Sequence, residues 1–132
     1  MDEELTERTL LAMPFAGLLG VELEQFEAEN VRARMAWDES RCTSGGILHG
    51  GALMALADCT GGLCAYLNLP EGATATATIE SKTNFFRPVT SGHVEAVSRI
   101  LHKGRTTIVV ETDLRDADGK HVARVTQTQA VL

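Results

Sequence analysis

Cysteine is scarce in this sequence, and what there is does not pair. Cys42, Cys59 and Cys64 are three in number and form no CxxC motif. That argues against a disulfide framework and fits a reducing cytosol, so a cytoplasmic protein is expected. Positive charge is also short: 12 Lys and Arg stand against 18 Asp and Glu, a net charge of −6. A general nucleic-acid binder needs a basic face for phosphates, so no nucleic-acid partner is expected. The balance still leaves room for a few local cations around one phosphorylated ligand. The four histidines, His49, His93, His102 and His121, show no zinc spacing with the cysteines, so no metal site is expected. There is no GxGxxG and no P-loop, and no cofactor is expected. The N-terminal stretch MDEELTERTLL lacks the basic n-region and long apolar h-region of a signal peptide. No internal repeat, low-complexity tract or linker interrupts the chain.

What is present reads as an ordinary globular protein, with 44% hydrophobic and 23% charged residues. The 132 residues suit one domain spanning 1–132. A chain of this size buries roughly two-thirds of its unfolded surface, enough for one core. Residues 4–13 form a short amphipathic pattern that Pro14 stops. Gly20 to Phe26 and Val31 to Trp37 alternate as strands, with a hairpin break at Glu27 to Asn30. Asp38 to Gly46 is polar and Gly-rich, a loop. Gly50 to Leu69 then runs with one charge, Asp58, and is apolar nearly all round. Such a segment is a membrane span or a helix buried on every side. A charge near the centre of a span is costly, and Gly61-Gly62 weaken it further.

The remaining chain decides between them. Thr74 to Phe86, His93 to Leu101, Thr106 to Arg115 and His121 to Val131 are strand patterns, and Asp118-Gly119 is a hairpin signal. The order is helix, two strands, one buried helix, four strands. One helix that is apolar all round can be enclosed by a strongly curved antiparallel sheet. The expectation is therefore an α+β chain with the hotdog architecture: a curved antiparallel sheet wrapped around one long central helix, with no membrane partner.

Two features could carry chemistry. Asp58 is a carboxylate in an apolar helix, costly unless paired. It either serves a site, forms a structural salt bridge, or marks a helix face that meets water or another subunit. Gly46-Ile-Leu-His49-Gly50-Gly51 begins the helix. Free N–H groups at a helix N-terminus carry partial positive charge, and glycines let a substrate approach them. Such a turn can hold a polarised carbonyl oxygen. It could equally be a plain Gly-rich helix start with His49 as cap. Gly50 and Asp58 lie roughly 12 Å apart along one helix axis. If both serve one substrate, the turn must come from a second subunit, so a homo-oligomer with composite sites is expected. Thr74, Thr76 and Thr78 read as ordinary strand threonines. Arg87, Lys103 and Arg105 read as edge charges, or as phosphate ligands if near a site.

The stretch Gly46-Ile-Leu-His49-Gly50-Gly51-Ala-Leu-Met-Ala-Leu-Ala-Asp58 resembles the G-x-x-H-G-G-x-x-x-x-x-x-D signature of hotdog thioesterases related to the phenylacetate-degradation enzymes. Asn84-Phe-Phe-Arg-Pro88 and Gly104 through Lys120 are also similar to that family's strands, and the resemblance spans residues 15–131. It implies hydrolysis of an acyl-CoA thioester. Gly50 would bind the carbonyl through its amide, beside Gly51. Asp58 of the facing subunit would act as base or nucleophile, Thr78 would position water, and His49 would shape the turn. Arg87, Lys103 and Arg105 would be candidates for the CoA phosphates. The resemblance further implies a homotetramer built as a dimer of dimers. One departure stands out: where many relatives carry Asn six residues before the His, this chain has Thr43, which could donate a hydrogen bond in its place. A hotdog dehydratase or hydratase would pair a His with a carboxylate, and no matching pair is present. A non-catalytic acyl-CoA module would need no acid or base, which Asp58 counts against. An aromatic and a medium-chain acyl group fit equally.

Overall fold

The computed structural model describes residues 3–132. Two short helices open the chain, α1 (Glu3–Ala12) and α2 (Pro14–Leu18). Pro14 does more than stop the first helix, because it begins the second. At the first position of a helix its missing N–H is not needed and its fixed φ suits the turn. Strands β1 (Glu22–Phe26) and β2 (Val31–Ala36) then form the expected hairpin. The polar loop contains one 3-10 turn, Glu39–Arg41, capped by the Asp38 side chain. The long helix α3 (Gly50–Leu67) follows, and then β3 (Thr76–Phe85), β4 (His93–Lys103), β5 (Thr107–Asp116) and β6 (His121–Val131).

All six strands form one antiparallel sheet in the order β1-β2-β4-β5-β6-β3. Alternation along each strand sends one set of side chains inward. Val31, Ala33 and Met35 meet Val94 and Ala96, then Ile108, Val110 and Leu114, then Val122 and Val125. The sheet curves around α3, which packs on β2, β3, β4, β5 and β6. By length and composition α3 could cross a membrane, but in this fold it is the helix on which the strands close. Its buried side is Ala52, Leu53, Leu56, Ala57, Thr60, Gly61, Cys64 and Ala65, the spacing of one helical face.

The expectation of a helix buried on every side needs correcting. The sheet covers only one side of α3, and Gly51, Met54, Asp58 and Tyr66 lie on an open face. Strand β3 is similarly uncovered. Among the described residues its strand partner is β6 alone, and Ile79 and Phe85 are 59% and 50% exposed. An edge of ten residues with large apolar side chains is a template for a further strand.

Candidate active site

The chain reaches α3 through Gly45 and Gly46, whose φ values of 83° and 73° lie where only glycine sits without strain. The Trp37 indole donates to the Gly46 carbonyl at 2.9 Å. Leu48 N–H donates to the Val89 carbonyl and His49 N–H to the Arg41 carbonyl, each at 2.9 Å. The helix start is therefore fixed from three directions. His49 is the N-cap: its Nδ1 accepts from Gly51 N–H at 2.8 Å. The His49 carbonyl takes the N–H groups of Ala52 and Leu53. Among the described residues, Gly50 alone in this first turn has an N–H with no partner. It faces a cavity of about 320 Å³ lined by Thr43, Ile47, Leu53, Phe85, Arg87 and Val89 among others. Space is also tight there, since a Cβ would come within 3.1 Å of the Phe85 ring, which would have to shift slightly. The Gly51 amide, by contrast, is already used by the cap, which leaves Gly51 the role of a small residue beside the site.

Asp58 lies on the open face of α3, exposed within the protomer. It opens on a different cavity, about 300 Å³, with Met13, Cys59, Tyr66, Thr76, Thr78 and Gln129 in its wall. Thr78 Oγ1 sits 3.1 Å from Asp58 Oδ1, and Gln127 Nε2 lies 3.5 Å from the same oxygen. Neither glutamine stood out in the sequence, though both are buried, at 0% and 2% exposure. Their signal was positional: Val125, Gln127 and Gln129 occupy the inward places of β6, so two amides fall where aliphatic side chains belong. Gln127 fits because Gly61 has no side chain; a Cβ there would collide with its amide oxygen. The adjacent Cys59 thiol is pushed up to about 11, first by burial and then by the Asp58 charge, so it stays a neutral lining group.

The cationic candidates divide between the two ends of the sheet. Lys103 pairs with Ile108, Ile108 with Gln129 and Gln129 with Thr78, so Lys103 and the adjoining Arg105 belong to the Asp58 end. Arg87 lines the Gly50 cavity beyond the other end of β3. One protomer thus keeps two separate groups: a helix-terminal amide with Thr43 and Arg87 on one cavity, and a carboxylate with Thr78 on another, while Lys103 lies three strands away from Thr78, and neither it nor Arg105 lines that cavity. Among the described residues no three His, Cys, Asp or Glu side chains gather as metal ligands.

The long helix held in a curved six-stranded antiparallel sheet is the hotdog fold. The chain belongs to the thioesterase superfamily, whose family pattern matches residues 45–123, and the enzyme is a thioester hydrolase. It is similar to the proofreading thioesterase EntH of Klebsiella pneumoniae, 34% identical over 114 residues, which covers 86% of this chain and 82% of that protein. The crystal structure of a mutant of thioesterase PA1618 from Pseudomonas aeruginosa superposes with a TM-score of 0.89 at 33% identity, covering 96% of this chain and 93% of that one. The PaaI protein of the E. coli phenylacetic acid degradation operon shares the fold at 19% identity, with a TM-score of 0.84 over 97% of this chain and 91% of that one.

Proposed function

We propose that the protein hydrolyses an acyl-CoA thioester to the free acid and CoA in a site shared by two chains. The observation that carries this reading is the separation of the unpartnered Gly50 amide from the Asp58 carboxylate, which open on different cavities of one protomer. A two-fold axis through the middle of the open β3 edge would bring them together. Antiparallel pairing of β3 with its copy sets the Phe85 end beside the partner's Thr76 end. Phe85 touches Gly50, and Thr78 touches Asp58, so each Gly50 would face the Asp58 of the partner subunit. The same rotation carries Arg87 of one chain toward the partner's Lys103 and Arg105, where they can meet phosphates. Pairing would also cover the exposed apolar residues of β3.

In this site the Gly50 N–H, reinforced by the positive end of α3, receives the charge that develops on the thioester oxygen. Thr43 adds a hydroxyl on the same side. Asp58 removes a proton from water, which attacks the carbonyl carbon while the C–S bond breaks. His49 keeps the turn in shape as a cap and takes no proton.

The test is Asp58→Asn, with CoA release followed by free-thiol detection over a panel of aromatic and medium-chain acyl-CoAs. Removing the base should lower kcat by about 100-fold or more while the fold is kept. A folded Asp58→Asn enzyme with near wild-type kcat would reject the assignment.

A further inference from the structure

The wall behind Asp58 contains a hydrogen-bond chain whose direction can be worked out from its fixed end. Thr76 Oγ1 lies 2.9 Å from the Ala130 carbonyl, which can only accept, so the one Thr76 hydroxyl hydrogen goes there. Toward Gln129 Thr76 can then only accept, and Gln129 Nε2 stands 3.2 Å away to donate. That turns Gln129 Oε1 the other way, where Thr78 Oγ1 approaches to 2.5 Å and Gln127 Nε2 to 3.2 Å. The opposite arrangement fails at both ends. With Gln129 reversed, its oxygen would face a Thr76 oxygen that has no hydrogen left. Its NH2 would face the NH2 of Gln127, and reversing Gln127 in turn would set an amide oxygen against the Asp58 carboxylate, 3.5 Å away.

Thr78 has one hydrogen and two oxygens within reach, Gln129 Oε1 at 2.5 Å and Asp58 Oδ1 at 3.1 Å. We infer that Gln129 is a positioning residue: the Thr78 hydroxyl donates to the ionised Asp58, and once Asp58 is protonated Gln129 Oε1 takes the Thr78 hydrogen, so that Thr78 then faces Asp58 as a hydrogen-bond acceptor. This rests on the reading of Asp58 as the general base.

The consequence lies in the proton transfer. One water proton passes to Asp58, and the oxygen it leaves bonds to the thioester carbon. The electron pair of the broken C–S bond goes to sulfur, which takes the proton back from Asp58 as CoA leaves. Between those two moments Asp58 is a carboxylic acid, which needs an acceptor for its new O–H. Thr78 Oγ1 offers a lone pair 3.1 Å away at that moment, because its own hydrogen turns to Gln129 Oε1. Gln129 is buried and needs no contact with substrate to do this. Gln127 supports it by donating to Gln129 Oε1.

The experiment is a double-mutant cycle in kcat and KM with an acyl-CoA that the wild-type enzyme hydrolyses. Gln129→Met should lower kcat by about fivefold to tenfold with KM little changed, the scale of one directed hydrogen bond. Placed in a Thr78→Val background it should cost at most about twofold more, because the hydroxyl it directs is gone. Thr76→Val is the companion variant, nearly isosteric and only half-buried. By releasing the anchor at Ala130 it should lower kcat in the same manner. If Gln129→Met does not fold, Thr76→Val with and without Thr78→Val decides the matter. Equal losses in the presence and absence of the Thr78 hydroxyl would mean a merely structural role and overturn the inference, as would wild-type kcat in both single variants. Asp58→Asn measured alongside separates the two levels. An active Asp58→Asn overturns the base itself, whereas an inactive one beside an unaffected Gln129→Met overturns only the part given to Gln129.

Discussion

Asp58 and Thr78 are both exposed in the protomer, yet they occupy one hydrogen-bonded corner behind which the protein is buried. The division of labour between them is measurable. If Asp58 handles the proton and Thr78 only directs a hydrogen bond, as proposed, the two substitutions should differ widely in effect. Thr78→Ala should keep the fold and cost about 1 to 2 kcal/mol of transition-state stabilisation, visible in kcat/KM. A Thr78→Ala enzyme as inactive as Asp58→Asn would give the hydroxyl a larger part than hydrogen bonding. An unchanged one would make it a plain strand residue. Cys59, next in sequence to Asp58, is held as a thiol by burial, so thiol chemistry does not compete at this corner.

Among the secondary-structure elements, the sheet has two faces with different chemistry. The inner face is aliphatic apart from a few polar groups, the two glutamines of β6 among them. The outer face of β4, β5 and β6 carries an ion network in which Arg99 and Arg124 each reach both Glu111 and Asp113, and His121 reaches Asp113. Burial works against the charge on Asp113, but the hydrogen bond and charge of Arg124, followed by those of His121, outweigh it. Its carboxyl therefore titrates below the usual carboxylate range. A depressed folded value contributes stability that is complete above the unfolded value of about 3.9 and disappears as pH falls through the folded one. Thermal unfolding followed against pH should show this. Asp113→Asn should lower Tm by a few degrees at neutral pH, a modest loss because both arginines are half exposed and screened by salt. The same variant should flatten the fall in Tm below about pH 4. An acid limb as steep as wild type would remove Asp113 from the account.

At the scale of the whole molecule, one protomer keeps Gly50 and Asp58 on separate cavities, and the proposed dimer would join them into two complete sites. Pairing a chain carrying Asp58→Ala with a chain carrying Gly50→Pro tests this. Gly50 is the first residue of α3, where proline is compatible with the helix and removes the N–H in question. The Phe85 ring must shift a little, and it is half exposed. Each homodimer should be inactive, since every site has one lesion. In the mixed dimer one site collects both lesions and the other none, so doubly tagged heterodimers should show about half the wild-type activity per dimer. Folded heterodimers that stay inactive would sink the composite site.

Much of this was legible along the chain because it depends on local order. The alternation of Val31 to Met35 and of the last three strands sets which side chains face inward. The hairpin at Asp118-Gly119 and the glycines before α3 require particular backbone angles, and the spacing from His49 to Asp58 fixes a distance along a helix. These are properties of neighbours in sequence, governed by periods of 2 and 3.6 residues. Pro14 ends the first helix as read, but its second role, beginning the next helix, was not visible because a proline in either role looks the same without the surrounding fold. What lay beyond the sequence were relations between distant residues. Gln129 meets Thr78 across 51 positions, and Gln127 meets Asp58 across 69. No periodicity encodes those contacts, which exist only once β6 lies between β5 and β3. Nor could composition say that the sheet covers one side of α3 and leaves Asp58 on the other. An apolar helix face looks alike whether it is destined for the protein's own sheet or for a surface left open, and only the curvature and order of the strands decided which it would be.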